Sequence, residues 1–238
     1  MKAIILAAGL GTRLRPLTND RPKALVELNG KTLLEITIDN LISFGFSEIV
    51  INVHHFSEMI IAFVNSLKSK NAELLISDES DLLRETGGAL KFAAKYLRGS
   101  DPILVHNVDI ISSINLADMV KTHKARHALA TLAVCERESS RYLYFDDDDK
   151  LIGWKNMKTG EEKLVRSSLQ GKQMAFSGVH VISPEIFALM PEEKKFSIID
   201  LYLTVAKNNE VISYKHPTEN FVDVGKPESL KKAENLLE

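Results

Sequence analysis

Cysteine, long apolar runs and an excess of charge of either sign are all scarce in this sequence. Cys135 is the sole cysteine among 238 residues, so no intramolecular disulfide can form. Its place after the strand-like run Leu129 to Val134 predicts a buried, inert thiol. A reducing cytoplasm is the expected location. The first apolar stretch, Ala3 to Leu10, is far short of the ~20 residues a spanning helix takes, and Arg13 and Arg15 follow it. Neither a signal peptide nor a membrane anchor is read. Charge is balanced, with 30 Lys and Arg against 32 Asp and Glu, for a formal net charge of -2. That excludes the broad positive field with which proteins collect a nucleic-acid backbone. Repeats, linkers and low-complexity tracts are lacking too. The hydrophobic fraction of 45% and charged fraction of 26% are those of an ordinary globular chain, long enough to bury a core without staples. One domain over 1–238 is expected.

The hydrophobic pattern alternates between two periods. Met1 to Ala8 (MKAIILAA) is an unbroken apolar run of the kind buried on both faces of a parallel sheet. Thr32 to Phe44 then carries apolar residues at helical spacing and stops at Gly45, and Glu48 to Val53 reads as a strand. Helix Ser57 to Leu67, strand Ala72 to Ile76, helix Gly87 to Leu97, strand Pro102 to Val105, helix Leu116 to His127 and strand Ala128 to Val134 continue the rhythm. Such alternation predicts an α/β fold with a doubly wound sheet. From Tyr142 the rhythm changes: Tyr142 to Phe145, Leu151 to Trp154 and Met174 to Ile182 read as strands joined by hairpins, expected on the sheet's far edge. The acidic run Asp146 to Asp149 between them is a turn, lacking the glycine and distal glutamate of a calcium loop. Helices over Pro184 to Met190 and Ser197 to Lys207, strands Val211 to Tyr214 and Phe221 to Val224, and a helix over Pro227 to Leu237 complete the chain.

The stretch with most chemistry is Leu6 to Leu25, LAAGLGTRLRPLTNDRPKAL. Small residues leaving a strand let backbone amides approach an anion closely, and Arg13, Arg15 and Lys23 balance a polyphosphate. The loop is not a P-loop, since no Gly-Lys-Ser/Thr follows. Nor is it a dinucleotide fingerprint, since the third glycine is missing.

The string Gly9-Leu10-Gly11-Thr12-Arg13-Leu14-Arg15-Pro16-Leu17-Thr18, followed by Pro22-Lys23, resembles the signature of the sugar-1-phosphate nucleotidyltransferases, the nucleotide-sugar pyrophosphorylases. The resemblance runs along the whole chain. It is greatest to compact N-acetylmuramate-1-phosphate uridylyltransferases and mannose-1-phosphate guanylyltransferases. It implies a mixed, Rossmann-like nucleotidyltransferase sheet of the GT-A-like kind and a magnesium-dependent reaction. A nucleoside triphosphate and a sugar 1-phosphate would give a nucleotide-sugar and pyrophosphate. In the family this loop wraps the triphosphate, which assigns Leu6, Ala8, Gly9, Gly11 and Thr12 to the nucleotide, Arg13 to the departing pyrophosphate and Lys23 to the phosphates near the exchanged bond. Glu85-Thr86-Gly87-Gly88-Ala89-Leu90 is similar to the family's base-binding turn, so Thr86, Gly87 and Gly88 join the nucleotide site. Val105-His106-Asn107-Val108-Asp109-Ile110 resembles its Asn-Gly-Asp motif, with Asn107 at the nucleotide, Asp109 as magnesium ligand and Val108 in place of the usual glycine. Phe221-Val222-Asp223-Val224-Gly225 resembles the motif that supplies the second ligand, Asp223. Phe176-Ser177-Gly178-Val179 resembles the sugar-contacting strand. For the family's sugar-phosphate lysine the segment GWKNMKTGEEK offers Lys155 and Lys158, with Glu161 beside them; Lys155, with Gly178, is the expected substrate-binding residue.

A sugar phosphate is already mostly dianionic at pH 7, its second pKa being near ~6, so the reaction needs no general base. Positioning and electrostatic stabilisation at the α-phosphorus suffice. Two other readings stand beside this one. One is a catalytically inactive nucleotide-sugar-binding regulatory protein, which Val108 permits; the other is an enzyme of the same fold with a non-sugar acceptor such as phosphocholine or a polyol phosphate. Neither nucleic acid nor membrane is an expected partner, and a homo-oligomer is allowed. UTP is preferred over GTP, with ATP and CTP as outsiders.

Overall fold

The computed structural model describes residues 1–67, 71–99 and 101–237. The chain opens with β1 (Lys2–Leu6), a long loop, and the short hairpin β2 (Glu27–Leu28) and β3 (Lys31–Thr32). It continues through α1 (Leu33–Ser43), β4 (Glu48–Val53), α2 (Ser57–Ser66), β5 (Glu73–Asp78), α3 (Glu85–Ala93), β6 (Ile103–Asn107), β7 (Ile110–Ser112), α4 (Leu116–Ala125) and β8 (Ala130–Cys135). The second part runs β9 (Arg141–Phe145), β10 (Leu151–Asn156), β11 (Glu162–Leu164), β12 (Lys172–Ile182), α5 (Ile198–Val205), β13 (Val211–Lys215), β14 (Phe221–Asp223) and α6 (Glu228–Leu236).

The main sheet is mixed, in the order β11-β10-β9-β12-β6-β1-β4-β5, with β8 pairing β12 and β13 pairing β8. Strands β5, β4, β1 and β6 run parallel. β12 is antiparallel to β6, β8 and β9. The unbroken apolar character of β1 has its reason here, because its side chains are buried on both faces. Ala3 and Ile5 pack with α1, α2 and α4, whereas Ile4 packs with Val50, Val105 and the α3–α5 side. Helices on both faces are what force an all-apolar strand instead of an alternating one. Helix starts are capped locally: Thr32 Oγ1 accepts from Glu35 N in α1, and Asn115 Oδ1 from Asp118 N in α4. Helix α1 is followed by Gly45 at φ +83, a left-handed position that glycine fills without strain.

The doubly wound α/β reading holds. Placement of the second part differs in one respect: β9, β10 and β11 extend an edge, but β12 lies inside the sheet against β6. Its length explains this. Eleven residues let its first part pair β9 while Val179 to Ile182 pair β6, with Val179 and Val181 facing one core cluster and Ile182 the other. The segment Pro184–Leu189 is a 3-10 turn, not an α-helix. β2, β3, β7 and β11 are short strands that no periodicity announces. The acidic run is a turn, with Asp146 Oδ1 accepting from the amides of Asp148 and Lys150. Cys135 is buried and free. Among the described residues no helix is long and apolar enough to cross a membrane.

Candidate active site

In a doubly wound sheet, ligands bind beyond the carboxyl ends of the parallel strands, where the strand order reverses. Here β1 leads on one side to β4 and on the other to β6, and Leu6 stands in register with both Asn52 and Asn107 at the strand ends. These three residues line a cavity of about 220 Å³ with Ala7, Ala8, Gly9, Lys23, Asn52's neighbour in space Glu79, Leu83, Glu85, Thr86, Ala89, Val108 and Asp109. Of the residues named from sequence, the fold brings Leu6, Ala8, Gly9, Lys23, Thr86, Asn107 and Asp109 onto this one cavity. The loop after β1 doubles back on itself. Gly11 has φ +65, its carbonyl accepts from Thr18 Oγ1 at 2.8 Å, and a methyl on it would press on Thr18 and Lys23 at 3.2 Å.

Lys23 is buried on a 3-10 turn and forms an ion pair with Asp109, just past the end of β6. β7 then pairs antiparallel with β14, setting Asp223 opposite Ile110, and Val224 N donates to Asp109 O at 2.8 Å. This small two-stranded sheet brings together two carboxylates that lie far apart in the chain. Asp223 Oδ1 is buried without a partner. Burial first, and the Asp109 charge second, push its carboxyl above the usual range, against the pull of Lys23, Arg13 and Arg137. Gly225 has no room for a side chain: a Cβ there would lie 2.8 Å from Asp223 Oδ1 and 3.1 Å from a terminal nitrogen of Arg13. Arg13 and Asp223 are thus neighbours, although Arg13 is exposed on its loop.

These carboxylates suit a hard divalent cation. One carries a buried, unpartnered oxygen, and both supply only oxygen donors. Among the described residues no group of three or more His, Cys, Asp or Glu could hold a metal. Two carboxylates fit the needs of magnesium, which takes one or two and completes its shell with phosphate oxygens and water.

Other expected residues are placed differently. The amides of Gly87 and Gly88 both donate to Phe196 O, and Thr86 Oγ1 accepts from Ile198 N. The glycines therefore serve the packing of α3 against the segment before α5, and Thr86, Glu85 and Ala89 face the cavity. Thr12 is exposed on the loop. Gly178, at φ +72, leaves space for Asn107, whose amide nitrogen would lie 2.6 Å from a Cβ there. Lys155 is held by Glu162 at 2.7 Å across the β10–β11 pair and does not line the cavity. Val108 packs in the core cluster of β1 and α1 and forms part of the cavity wall, its backbone free of positive φ.

The cavity also contains two residues that sequence reasoning passed over. Asn52 and Glu79 are both about 1% exposed, and neither the amide nor the carboxyl has a partner at hydrogen-bonding geometry. Burial pushes the Glu79 carboxyl above its ordinary range, against the lowering influence of Asn52 and of Arg84, whose guanidinium lies 4.0 Å away. An asparagine inside the apolar strand EIVINV was the available signal, since a buried polar side chain needs a partner.

A family model described as nucleotidyl transferase matches residues 2–238. The chain belongs to the nucleotidyl transferase family. Among curated relatives it is 34% identical over 241 residues to an N-acetylmuramate alpha-1-phosphate uridylyltransferase from Caulobacter vibrioides, covering 99% of this chain and 96% of that protein. It is 29% identical to a probable mannose-1-phosphate guanylyltransferase 1 from Oryza sativa subsp. japonica over 95% of this chain and 62% of that longer protein. Among solved structures, HddC from Yersinia pseudotuberculosis superposes with a TM-score of 0.80 at 24% identity, over 100% of this chain and 99% of that one.

Proposed function

We propose that this nucleotidyltransferase condenses UTP with N-acetylmuramate 1-phosphate in the cytoplasm, releasing pyrophosphate. The observation that carries the reaction class is the convergence of Lys23, Asn107 and Asp109 on one cavity at the ends of β1, β4 and β6. The similarity to the Caulobacter uridylyltransferase along nearly the whole chain supports the same reading. In the reaction a sugar-phosphate oxygen attacks the α-phosphorus, the bond from that phosphorus to the α,β-bridging oxygen breaks, and pyrophosphate leaves with the electron pair. Lys23 and the amides near Gly9 hold the triphosphate, and Arg13 neutralises charge as pyrophosphate departs. Asp109 and Asp223 would hold magnesium, which when bound supplies Lewis-acid stabilisation of charge shared by the two reacting phosphates.

A second reading, GTP with mannose 1-phosphate or a related sugar phosphate, is favoured by Glu79. An ionised carboxylate pairs with the N1–H and N2–H groups of guanine and repels the two carbonyls of uracil; a protonated carboxyl can instead donate to a uracil oxygen. The test is a matrix of four triphosphates against N-acetylmuramate, N-acetylglucosamine, mannose and glucose 1-phosphates, read by pyrophosphate release in wild type and Glu79→Gln. UTP with N-acetylmuramate 1-phosphate is the expected best pair, with Glu79→Gln changing its kcat/KM less than about threefold. GTP as best substrate, with a loss of tenfold or more in Glu79→Gln, about 1.4 kcal/mol, would establish the second reading instead. No turnover with any pair would favour a non-sugar acceptor or an inactive binding protein.

A further inference from the structure

Two polyanions must meet at Asp109 and Asp223, and the cations assigned so far serve only the triphosphate. Lys23 is paired with Asp109, and Arg13 belongs to the loop that leaves β1. Lys155 is occupied by Glu162 away from the cavity. A sugar phosphate carries about -1.5 to -2 charge at pH 7, and bringing it toward two carboxylates calls for a cation of its own.

We propose that Arg137 is the anchor for the phosphate of the sugar 1-phosphate, a role that rests on the reaction proposed above. Arg137 lies two residues beyond β8 and touches both β12, which carries Gly178, and β14, which carries Asp223. Its Nη2 donates to Phe176 O at 3.0 Å, two residues before Gly178, and its guanidinium carbon sits 5.1 Å from the ring centroid of Phe221, two residues before Asp223. Its Nε–H is buried and without a partner. Such an orphaned donor on a guanidinium costs free energy unless an acceptor arrives, and a phosphate oxygen is the acceptor that the reaction delivers next to Asp223. The fork of a guanidinium suits phosphate better than an ammonium does. Phe221 and the Phe176 carbonyl hold the group in place, so little side-chain freedom remains to be lost on binding.

Arg137 could instead merely clamp β8 to β12 and β14, and kinetics separate the two roles. Arg137→Met and Arg137→Lys are compared with wild type for KM of each substrate, kcat and thermal midpoint, and N-acetylmuramate 1-phosphate is titrated directly into each protein with a 31P readout. The expected result is a KM for sugar 1-phosphate raised roughly 10- to 100-fold in Arg137→Met, the size of a lost charge-assisted hydrogen bond, with partial rescue in Arg137→Lys and an unchanged KM for the triphosphate. An unchanged sugar-phosphate KM, or equal rises for both substrates, overturns the anchor while leaving the reaction standing. Wild type that binds the sugar phosphate through Arg137 but releases no pyrophosphate with any pair would sink the reaction and keep the anchor. No binding of the sugar phosphate to wild type would overturn both.

Discussion

At the scale of single residues, the two carboxylates have unequal surroundings and therefore unequal effects on stability. Asp109 is neutralised by Lys23, so its replacement strands a buried ammonium. Asp223 has a buried, unpartnered oxygen beside the like charge of Asp109. Asp109→Asn and Asp223→Asn should both lower turnover by roughly 100-fold or more, as the removal of charge-stabilising groups commonly does. Their thermal midpoints without magnesium should move in opposite directions, down for Asp109→Asn and up for Asp223→Asn. Near wild-type turnover at limiting magnesium in either variant would show that the pair does not form a shared metal site. The motifs made both aspartates legible in the sequence. Asn52 and Glu79 were not, because nothing local says that a polar residue at the end of one strand will share a cavity with a residue beyond the end of the next.

At the scale of elements, the contact between α3 and the segment before α5 depends on two glycines. A Cβ on Gly88 would lie 2.2 Å from Lys194 O, and one on Gly87 2.4 Å from the Phe196 ring. A ring can turn aside, whereas a backbone carbonyl must move with its chain, and the carbonyl overlap is deeper at Gly88 than at Gly87, whose Cβ would lie 2.9 Å from Phe196 O. Gly88→Ala is therefore expected to destabilise the protein by about 1–3 kcal/mol, the usual cost of overpacking, and Gly87→Ala by less, as measured by urea midpoints. Equal midpoints for Gly88→Ala and wild type would mean that this segment is free to move away. The sequence pattern located α3 and α5 and their apolar faces. It offered two roles for Gly87-Gly88, a helix start or a base-reading turn, and the packing against Phe196 and Lys194 was visible only once the chain had folded.

At the scale of the whole molecule, the core holds histidines in their neutral form. His123 sits between Thr131 Oγ1 and Ser183 Oγ, at 2.9 and 3.0 Å, and burial lowers its pKa to about 4. His180 meets the Tyr202 hydroxyl at 2.9 Å, and burial lowers it to about 3. The unfolded chain takes up these protons near the ordinary pKa of ~6.5 while the folded one does not. Their contribution is thus complete above pH 6.5 and is lost as pH falls from about 6.5 toward 4, by roughly 3 kcal/mol for each histidine. Denaturant titrations at pH 7.5, 6, 5 and 4.5 should show stability falling steeply over this range. His123→Gln, which keeps a polar side chain but cannot be protonated, should flatten the fall. A stability that stays level from pH 7 to 4.5 would mean that these histidines take up protons without unfolding the core.

What the sequence determined by itself was everything carried by neighbouring residues. The unbroken apolar run of β1, the helical spacing of α1 and the glycine-rich loop with Arg13 and Lys23 are local patterns, and local sterics and burial dictate their form. The tertiary structure decided what depends on residues distant in the chain. It placed β12 beside β6 because an eleven-residue strand could pair on both sides, and it brought Asp223 to Asp109 through the β7–β14 pair. It also bound Lys155 to Glu162 while setting Arg137 against Phe221, two residues before Asp223. Charge acts through space, so which cation serves which phosphate follows from the fold that brings them within a few ångströms, not from their order along the chain.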